Sequence, residues 1–272
     1  MQDKRDDLKR SDISELMDFA KTLVRCSRSI VLNTQIDDSD IQIKSAAGDP
    51  VTTIDIVIEQ EWTKKIRNRY PEHSIIGEET GSDVIASDIT WVLDPIDGTD
   101  DLIRNSPLYG SIIAVLYQGE PIVGVIDHPK LNLCCHAKYG SKAFVNGAEI
   151  RSIDAAKRNI SEAVILPAYD DFRKLNKCDE IIAAIGREVP NQRIYRNVYG
   201  HTMVALGKFA AGVEVNVALW DLAATRLLVE QSNGKFVIFR DTGGDYGERR
   251  FGAIFGRAAM VDRLSLIVSH FA

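Results

Sequence analysis

The chain of 272 residues has little cysteine, no excess of positive charge and no long apolar run. Each scarcity removes a class of protein. Its four cysteines, Cys26, Cys134, Cys135 and Cys178, lack the C-x-x-C spacing of zinc and dithiol sites. The adjacent pair Cys134 and Cys135 would form a strained mutual disulfide. Reduced thiols in a cytoplasmic protein are the expectation. With 33 Lys and Arg against 39 Asp and Glu, the formal net charge is -6, which gives no general attraction to nucleic acid or to an anionic membrane surface. Neither is expected as a partner, and any anionic ligand has to be held locally, by metal ions or backbone dipoles. No apolar run approaches the roughly 18 residues of a membrane span, and the opening MQDKRDDLKR has no apolar stretch behind its charges, so no anchor is expected. The histidines His73, His128, His136, His201 and His270 form no H-x-x-x-H pair, and none is expected to hold a metal. The absence of a G-x-S-x-G elbow argues against a serine hydrolase.

What is present is an ordinary globular composition, 45% hydrophobic and 26% charged, long enough to bury a substantial core. Ile13, Leu16, Met17, Ala20, Leu23 and Val24 recur at helical spacing behind a cap at Ser11 or Asp12. A second helix is expected from about Thr53 to Tyr70, with Ile54, Ile58, Trp62 and Ile66 on one face and Pro71 as its stop. Short strands follow at Ser74–Gly77, Ile89–Leu93, Ser111–Tyr117 and Pro121–Asp127, with hairpin turns at Gln118-Gly119 and Asn146-Gly147. From about Ser161 the order becomes strand (Glu162–Leu166), helix near Asp179, strand (Gln192–Arg196), helix (Thr202–Ala211), strand, helix (Leu222–Ser232) and strand. The fold class is therefore α+β: an antiparallel-rich N-terminal half, 1–155, and a C-terminal α/β half, 156–272, with parallel pairs. With no long linker, the halves are expected to share an extensive interface and the active site.

The densest chemical signal is Trp91-Val92-Leu93-Asp94-Pro95-Ile96-Asp97-Gly98-Thr99-Asp100-Asp101, an apolar strand that delivers carboxylates into a glycine turn. Asp94 and Asp97 are close enough in sequence to bind one ion together, and hard cations such as Mg²⁺ offset the repulsion of crowded carboxylates. Pro95 fixes the backbone between them and makes the Ile96 carbonyl available. Glu78 follows a predicted strand, Asp55 opens a predicted helix and Asp221 opens another. Singly, each has a harmless reading, Asp55 and Asp221 as partners of a helix dipole and Glu78 as a solvated loop charge.

In combination, the segments Lys44–Glu59, Ser74–Glu79, Trp91–Thr99 and Trp220–Gly234 resemble the inositol monophosphatase family in order and spacing along nearly the whole chain. The resemblance implies a layered α-β-α-β-α sandwich of the sugar-phosphatase kind, two or three Mg²⁺ ions, Li⁺ sensitivity, a small phosphorylated metabolite as substrate, and a homodimer. It implies Glu78, Asp94, Asp97, Asp221 and the Ile96 carbonyl as metal ligands. Asp55 and Thr99 would orient and deprotonate the attacking water, with Glu78 beside them in the catalytic set. The amides of Gly98 and Thr99, where a turn meets a short helix, would hold phosphate oxygens alongside Asp97 and Asp221. Lys44 has two readings, a phosphate contact and a solvated loop charge.

The chain departs from inositol-preferring members where Asp101-Leu102 replaces their Asn-Phe. The stretch from Gly212 to Trp220 is shorter than theirs, without the glutamate that contacts a polyol hydroxyl just ahead of the Trp-Asp pair. Pro107–Ser111 and Gly124–Pro129 resemble the histidinol-phosphatase branch. Asp101 has two readings, a partner for a substrate amine and a cap of the turn. The alternatives within the fold are a 3′(2′),5′-bisphosphate nucleotidase or a fructose-1,6-bisphosphatase, for which Arg193 and Arg196 are the nearest extra cations. A catalytically silent regulatory relative is the alternative outside enzymology.

Overall fold

A computed structural model describes residues 3–35, 37–43, 50–153, 163–167, 178–195 and 197–269. Lys44, Arg196, His270 and the start of the expected 162–166 strand lie outside them.

Five layers stack as helices, sheet, helices, sheet, helices. The outer helices are α1 (Arg10–Asn33) and α2 (Thr53–Arg69), the latter preceded by a small hairpin of β1 (Ile41–Ile43) and β2 (Pro50–Thr52). They cover one face of an eight-stranded sheet built from β3 (Ser74–Gly77), β4 (Gly81–Asp83), β5 (Ile89–Asp97), β6 (Gly110–Tyr117), β7 (Glu120–His128), β8 (Leu133–Lys138), β9 (Ala143–Val145) and β10 (Ala148–Glu149), in the order β10-β9-β8-β7-β6-β5-β3-β4. Only β3 and β5 are parallel in it. The short α3 (Thr99–Ile103) follows β5. Both expected hairpin turns are present, with positive φ at Gln118 and Gly119 and at Asn146 and Gly147, the geometry that matches strand twist in a two-residue connection.

The expected stripes are the buried ones. Leu16, Leu23, Ile58, Trp62 and Ile66 pack against Trp91, Leu93, Ile113 and Val125 on this face of the sheet. Trp62 also donates its indole N–H to the Leu23 carbonyl at 3.0 Å, which joins the two outer helices.

The second sheet comprises β11 (Val164–Leu166), β12 (Gln192–Ile194), β13 (Ala211–Val217), β14 (Lys235–Asp241) and β15 (Phe251–Gly256), ordered β12-β11-β13-β15-β14. The expected parallel pairs exist only around β11, while β13, β15 and β14 are antiparallel to one another. Between the sheets lie α5 (Val198–Ala205) and α6 (Leu219–Gln231), packed into a core with Val92, Ile112, Ile126, Ile165 and Phe255. The outermost layer is α4 (Cys178–Glu188) and α7 (Ala258–Ser269).

Helix boundaries differ from expectation for local reasons. α1 starts at Arg10 without a side-chain cap. α5 covers 198–205 rather than 202–211, because Asn197 caps it and Ala211 already belongs to a strand. α6 begins three residues early, so Asp221 falls inside its first turn. Among the described residues no helix is long and apolar enough to cross a membrane.

Candidate active site

β5 runs beneath both helical layers, and its end carries the acidic turn. Side chains alternate across a strand, so Leu93 enters the α1–α2 core while Val92 enters the core beneath α6. The register with β6 breaks between Asp94 and Asp97, a bulge of the kind that re-aims side chains at a strand end.

Asp94, Asp97 and Asp221 each contribute an oxygen to a group whose members all lie within 4.8 Å of one another. Their pKa values rise together. Asp94 is driven well above the carboxylate range first by burial, then by the charges of Glu78, Asp97 and Asp221. Asp97 rises well above that range through burial and the charges of Asp221 and Glu78, against one favourable amide from Val198. Burial and the Glu78 charge push Asp221 up to about 7. The charge of Glu78 acts on all three; its own amide bonds to the Leu93 carbonyl of β5 at 3.2 Å.

Backbone amides fix two of these carboxylates. Asp221, in the first turn of α6, accepts from the Ala218 amide at 2.6 Å, and Asp97 accepts from the Val198 amide at the start of α5 at 2.9 Å. Asp94 is different: it is 1% exposed, and neither of its oxygens accepts a hydrogen bond. A buried carboxylate without donors, among other carboxylates, is strongly unfavourable unless a cation compensates it. The donor set is all oxygen and anionic, which fits a hard divalent ion.

Beside the cluster lies a second group. Asp55 occupies the third position of α2 and completes a capping box with Thr52, whose amide and hydroxyl both donate to its Oδ2. Its other oxygen accepts from the Thr99 hydroxyl at 3.0 Å, and that hydroxyl also lies 3.1 Å from the Ile96 carbonyl oxygen. The helix-cap reading of Asp55 is met at Oδ2, and the structure brings Oδ1 to the Thr99 hydroxyl. Gly98 adopts φ 96 and precedes α3 as its N-cap; the first amides of a helix have no intrahelical acceptor.

Residues that the local pattern did not single out also shape the site. Glu59, fully buried one turn after Asp55, accepts from the amides of Glu79 at 3.0 Å and Thr80 at 2.6 Å and from the Thr80 hydroxyl at 2.6 Å, and so holds the turn that carries Glu78. Its place in an otherwise apolar stripe was the available signal. Asn197 donates to Asp101 at 2.7 Å, so the Asp101 carboxylate is engaged within the turn. Glu214, buried on β13, faces His201 at 3.1 Å and adds negative charge at Asp97 and Asp221. The register of β13 with β15 shifts after Glu214, six positions ahead of Trp220. His201 also reaches Thr225 at 3.0 Å, and His128 bridges the Tyr109 carbonyl and Thr202, so both histidines serve the packing of α5. Arg193 bonds locally to Asn191 and the Gln192 carbonyl.

The inositol monophosphatase family model matches residues 12–261. A histidinol-phosphatase from Chlorobaculum parvum is 31% identical over 71% of this chain and 74% of its own length. Inositol monophosphatase 1 from Rattus norvegicus is 27% identical over 85% and 86%, and Nus factor SuhB from Pasteurella multocida is 31% identical over 73% and 74%. Among solved structures, an IMPase from Thermotoga maritima superposes with a TM-score of 0.78 at 25% identity, covering 94% of this chain and 98% of that one.

Proposed function

This chain belongs to the inositol monophosphatase family and is a phosphomonoesterase; we propose that it hydrolyses a small phosphomonoester, a polyol phosphate or histidinol phosphate, with Mg²⁺ held by Glu78, Asp94, Asp97, Asp221 and the Ile96 carbonyl. The observation that carries the reading is the pair of donorless Asp94 oxygens among three other carboxylates, a constellation that calls for divalent cations. When bound, Mg²⁺ supplies the positive charge that neutralises the cluster and the Lewis acidity that favours phosphoryl transfer.

The chain's own residues do the rest. Amides of Gly98 and Thr99 orient the phosphate oxygens. Thr99 accepts a proton from the attacking water while its own hydroxyl proton moves toward Asp55 Oδ1, 3.0 Å away. The water oxygen forms its bond to phosphorus as the ester bond breaks in line on the opposite side; the departing oxygen takes a proton from solvent water and leaves as an alcohol, and Asp55 returns its proton to solvent. The Ala218 and Val198 amides hold Asp221 and Asp97 in place, which is the preorganisation that such electrostatic catalysis requires. No covalent phosphoenzyme is needed.

The similarity to a histidinol-phosphatase at 31% identity and to inositol monophosphatase 1 at 27% supports both substrates. Two halves, 1–155 and 156–272, sharing this site, a homodimeric assembly, a cytoplasmic location and Li⁺ sensitivity are part of the same proposal. Phosphate release from inositol-1-phosphate, histidinol phosphate, fructose-1,6-bisphosphate and adenosine 3′,5′-bisphosphate, with and without Mg²⁺, tests it. Turnover of either monophosphate only with Mg²⁺ is expected; equal turnover in excess chelator would refute the metal reading, and preference for a bisphosphate would refute the substrate reading.

A further inference from the structure

We infer that Asn197 is a positioning residue of the catalytic turn, tying the start of α5 to Asp101 and thereby fixing Asp97 and the Gly98-Thr99 amides; this rests on the phosphatase reading of that turn. Asn197 has φ 77 and ψ 177. A non-glycine residue in such a conformation is strained and keeps it only where its surroundings over-determine it.

Three contacts do so here. Asn197 Oδ1 accepts from the Tyr199 amide at 3.1 Å, capping α5. Its Nδ2 donates to Asp101 Oδ2 at 2.7 Å, across from α5 to α3. The next amide along the chain, that of Val198, donates to Asp97 Oδ2 at 2.9 Å. The side chain also lies over Gly98, where an added Cβ would stand 2.6 Å from Asn197 Nδ2 and 3.2 Å from its Cγ. Gly98 is thus required twice, by its own φ of 96 and by this close approach.

A helix cap alone does not account for this arrangement. Ser, Thr or Asp caps a helix as well as Asn from ordinary extended backbone, and the capping bond uses only Oδ1. The amide nitrogen and the strained φ are left over, and both serve the acidic turn. The backbone torsion aims the Val198 amide at Asp97, and the side-chain donor satisfies Asp101. In this way α5 grips both ends of the Asp97–Asp101 segment.

The test exchanges donor and acceptor. Asn197→Gly relieves the strain but also removes both side-chain bonds, so unfolding is expected near the wild-type temperature while kcat/KM falls at least about tenfold, a split that a merely structural cap would not give. Asn197→Asp sets two carboxylates against each other and is expected to lose activity. Adding Asp101→Asn restores a donor across the same gap and is expected to recover most of it. Hydrogen exchange of the segment 97–103 reads the same tie without turnover, faster in Asn197→Asp and slowed again in the double variant. Wild-type kcat/KM and wild-type exchange in Asn197→Gly, or a double variant no better than Asn197→Asp by either readout, overturns the inference. A wild-type protein that releases no phosphate overturns the phosphatase reading instead, and the exchange comparison still decides on Asn197.

Discussion

Replacing Asp221 by asparagine should stabilise the metal-free protein, and by an amount that depends on pH in a defined way. In the folded chain the Asp221 carboxyl titrates near 7 against an ordinary 3.8, raised first by burial and then by Glu78. An acid whose pKa is raised by folding binds more protons in the folded than in the unfolded state between the two values, so stability falls as pH rises through that window. At 1.36 kcal/mol per unit, the loss grows from under about 1 kcal/mol at pH 4 to about 4 kcal/mol at pH 7.5, the latter a ceiling because Asp221 retains some solvent contact. The asparagine variant carries no such loss, and its side-chain oxygen can still accept from the Ala218 amide. Three histidines work in the opposite direction: burial lowers His136 to about 4 and also lowers His73 and His128, which makes stability rise with pH below their ordinary 6.5. All three are common to the two proteins and cancel in the difference. Urea unfolding of wild type and Asp221→Asn in excess chelator, between pH 4 and 7.5, is therefore expected to give a variant advantage that widens with pH, and excess Mg²⁺ should reverse the order at pH 7.5. A difference that is flat across this range, or of opposite sign, would mean that Asp221 is not part of a crowded, desolvated cluster.

Other perturbations probe other parts of the same arrangement. Thr99→Ala deletes the hydroxyl between Asp55 and the Ile96 carbonyl; kcat should fall by about 10²–10⁴, with Thr99→Ser retaining most of it, and steady-state phosphate release showing an unchanged kcat would exclude the proton path. A Cβ at Gly77 would invade the Glu59 carboxylate, so Gly77→Ala should cost about 2–4 kcal/mol in chemical denaturation, because the displaced group leaves buried donors unmet; a neutral substitution would contradict the account of the Glu78 turn. Asp127 is 1% exposed and paired to Arg28 at 2.5 and 2.9 Å. Arg28→Met should cost about 3–5 kcal/mol by stranding that charge, and most of the loss should return in a double variant with Asp127→Asn, as paired melts would show.

Local pattern carried the parts of this fold that are local. The stripe Ile54, Ile58, Trp62 and Ile66, the hairpin turns at Gln118-Gly119 and Asn146-Gly147, and the apolar run that ends at Asp94 are each set by a period or a turn preference within a few residues. The same holds for Asp94 and Asp97, which share one strand end. The start of α5 was misplaced because the hydrophobic pattern runs on through Ala211, whereas the real boundaries come from Asn197 folding back on its own helix and from β13 recruiting Ala211. The contacts of Glu59 and Glu214 were not legible for a related reason. Their partners are the amides of Glu79 and Thr80 in one case and His201 in the other, and no spacing within either segment encodes a contact of that kind. The antiparallel half of the second sheet was hidden because alternation of strands and helices fixes element order but not strand direction.

The carboxylates of the cluster reach it by different routes, and this decides which remote substitutions matter. Asp94 and Asp97 arrive on one strand, Glu78 on the turn that Glu59 grips, and Asp221 on α6. The position of Asp221 therefore depends on how α6 seats against the large sheet. That seat is set at Gly124 of β7, where an added Cβ would stand 3.0 Å from the Cα and carbonyl oxygen of Ala224. Closely packed interiors transmit such a shift rather than absorb it. A methyl group at Gly124 touches none of the acidic residues, yet it would lever the first turn of α6 away from Asp94 and Asp97. Since a displacement of about 1 Å in a positioning element can cost about a hundredfold in rate, the rate-determining geometry of this site is held as much by the fit of a helix on a sheet as by the acidic turn itself.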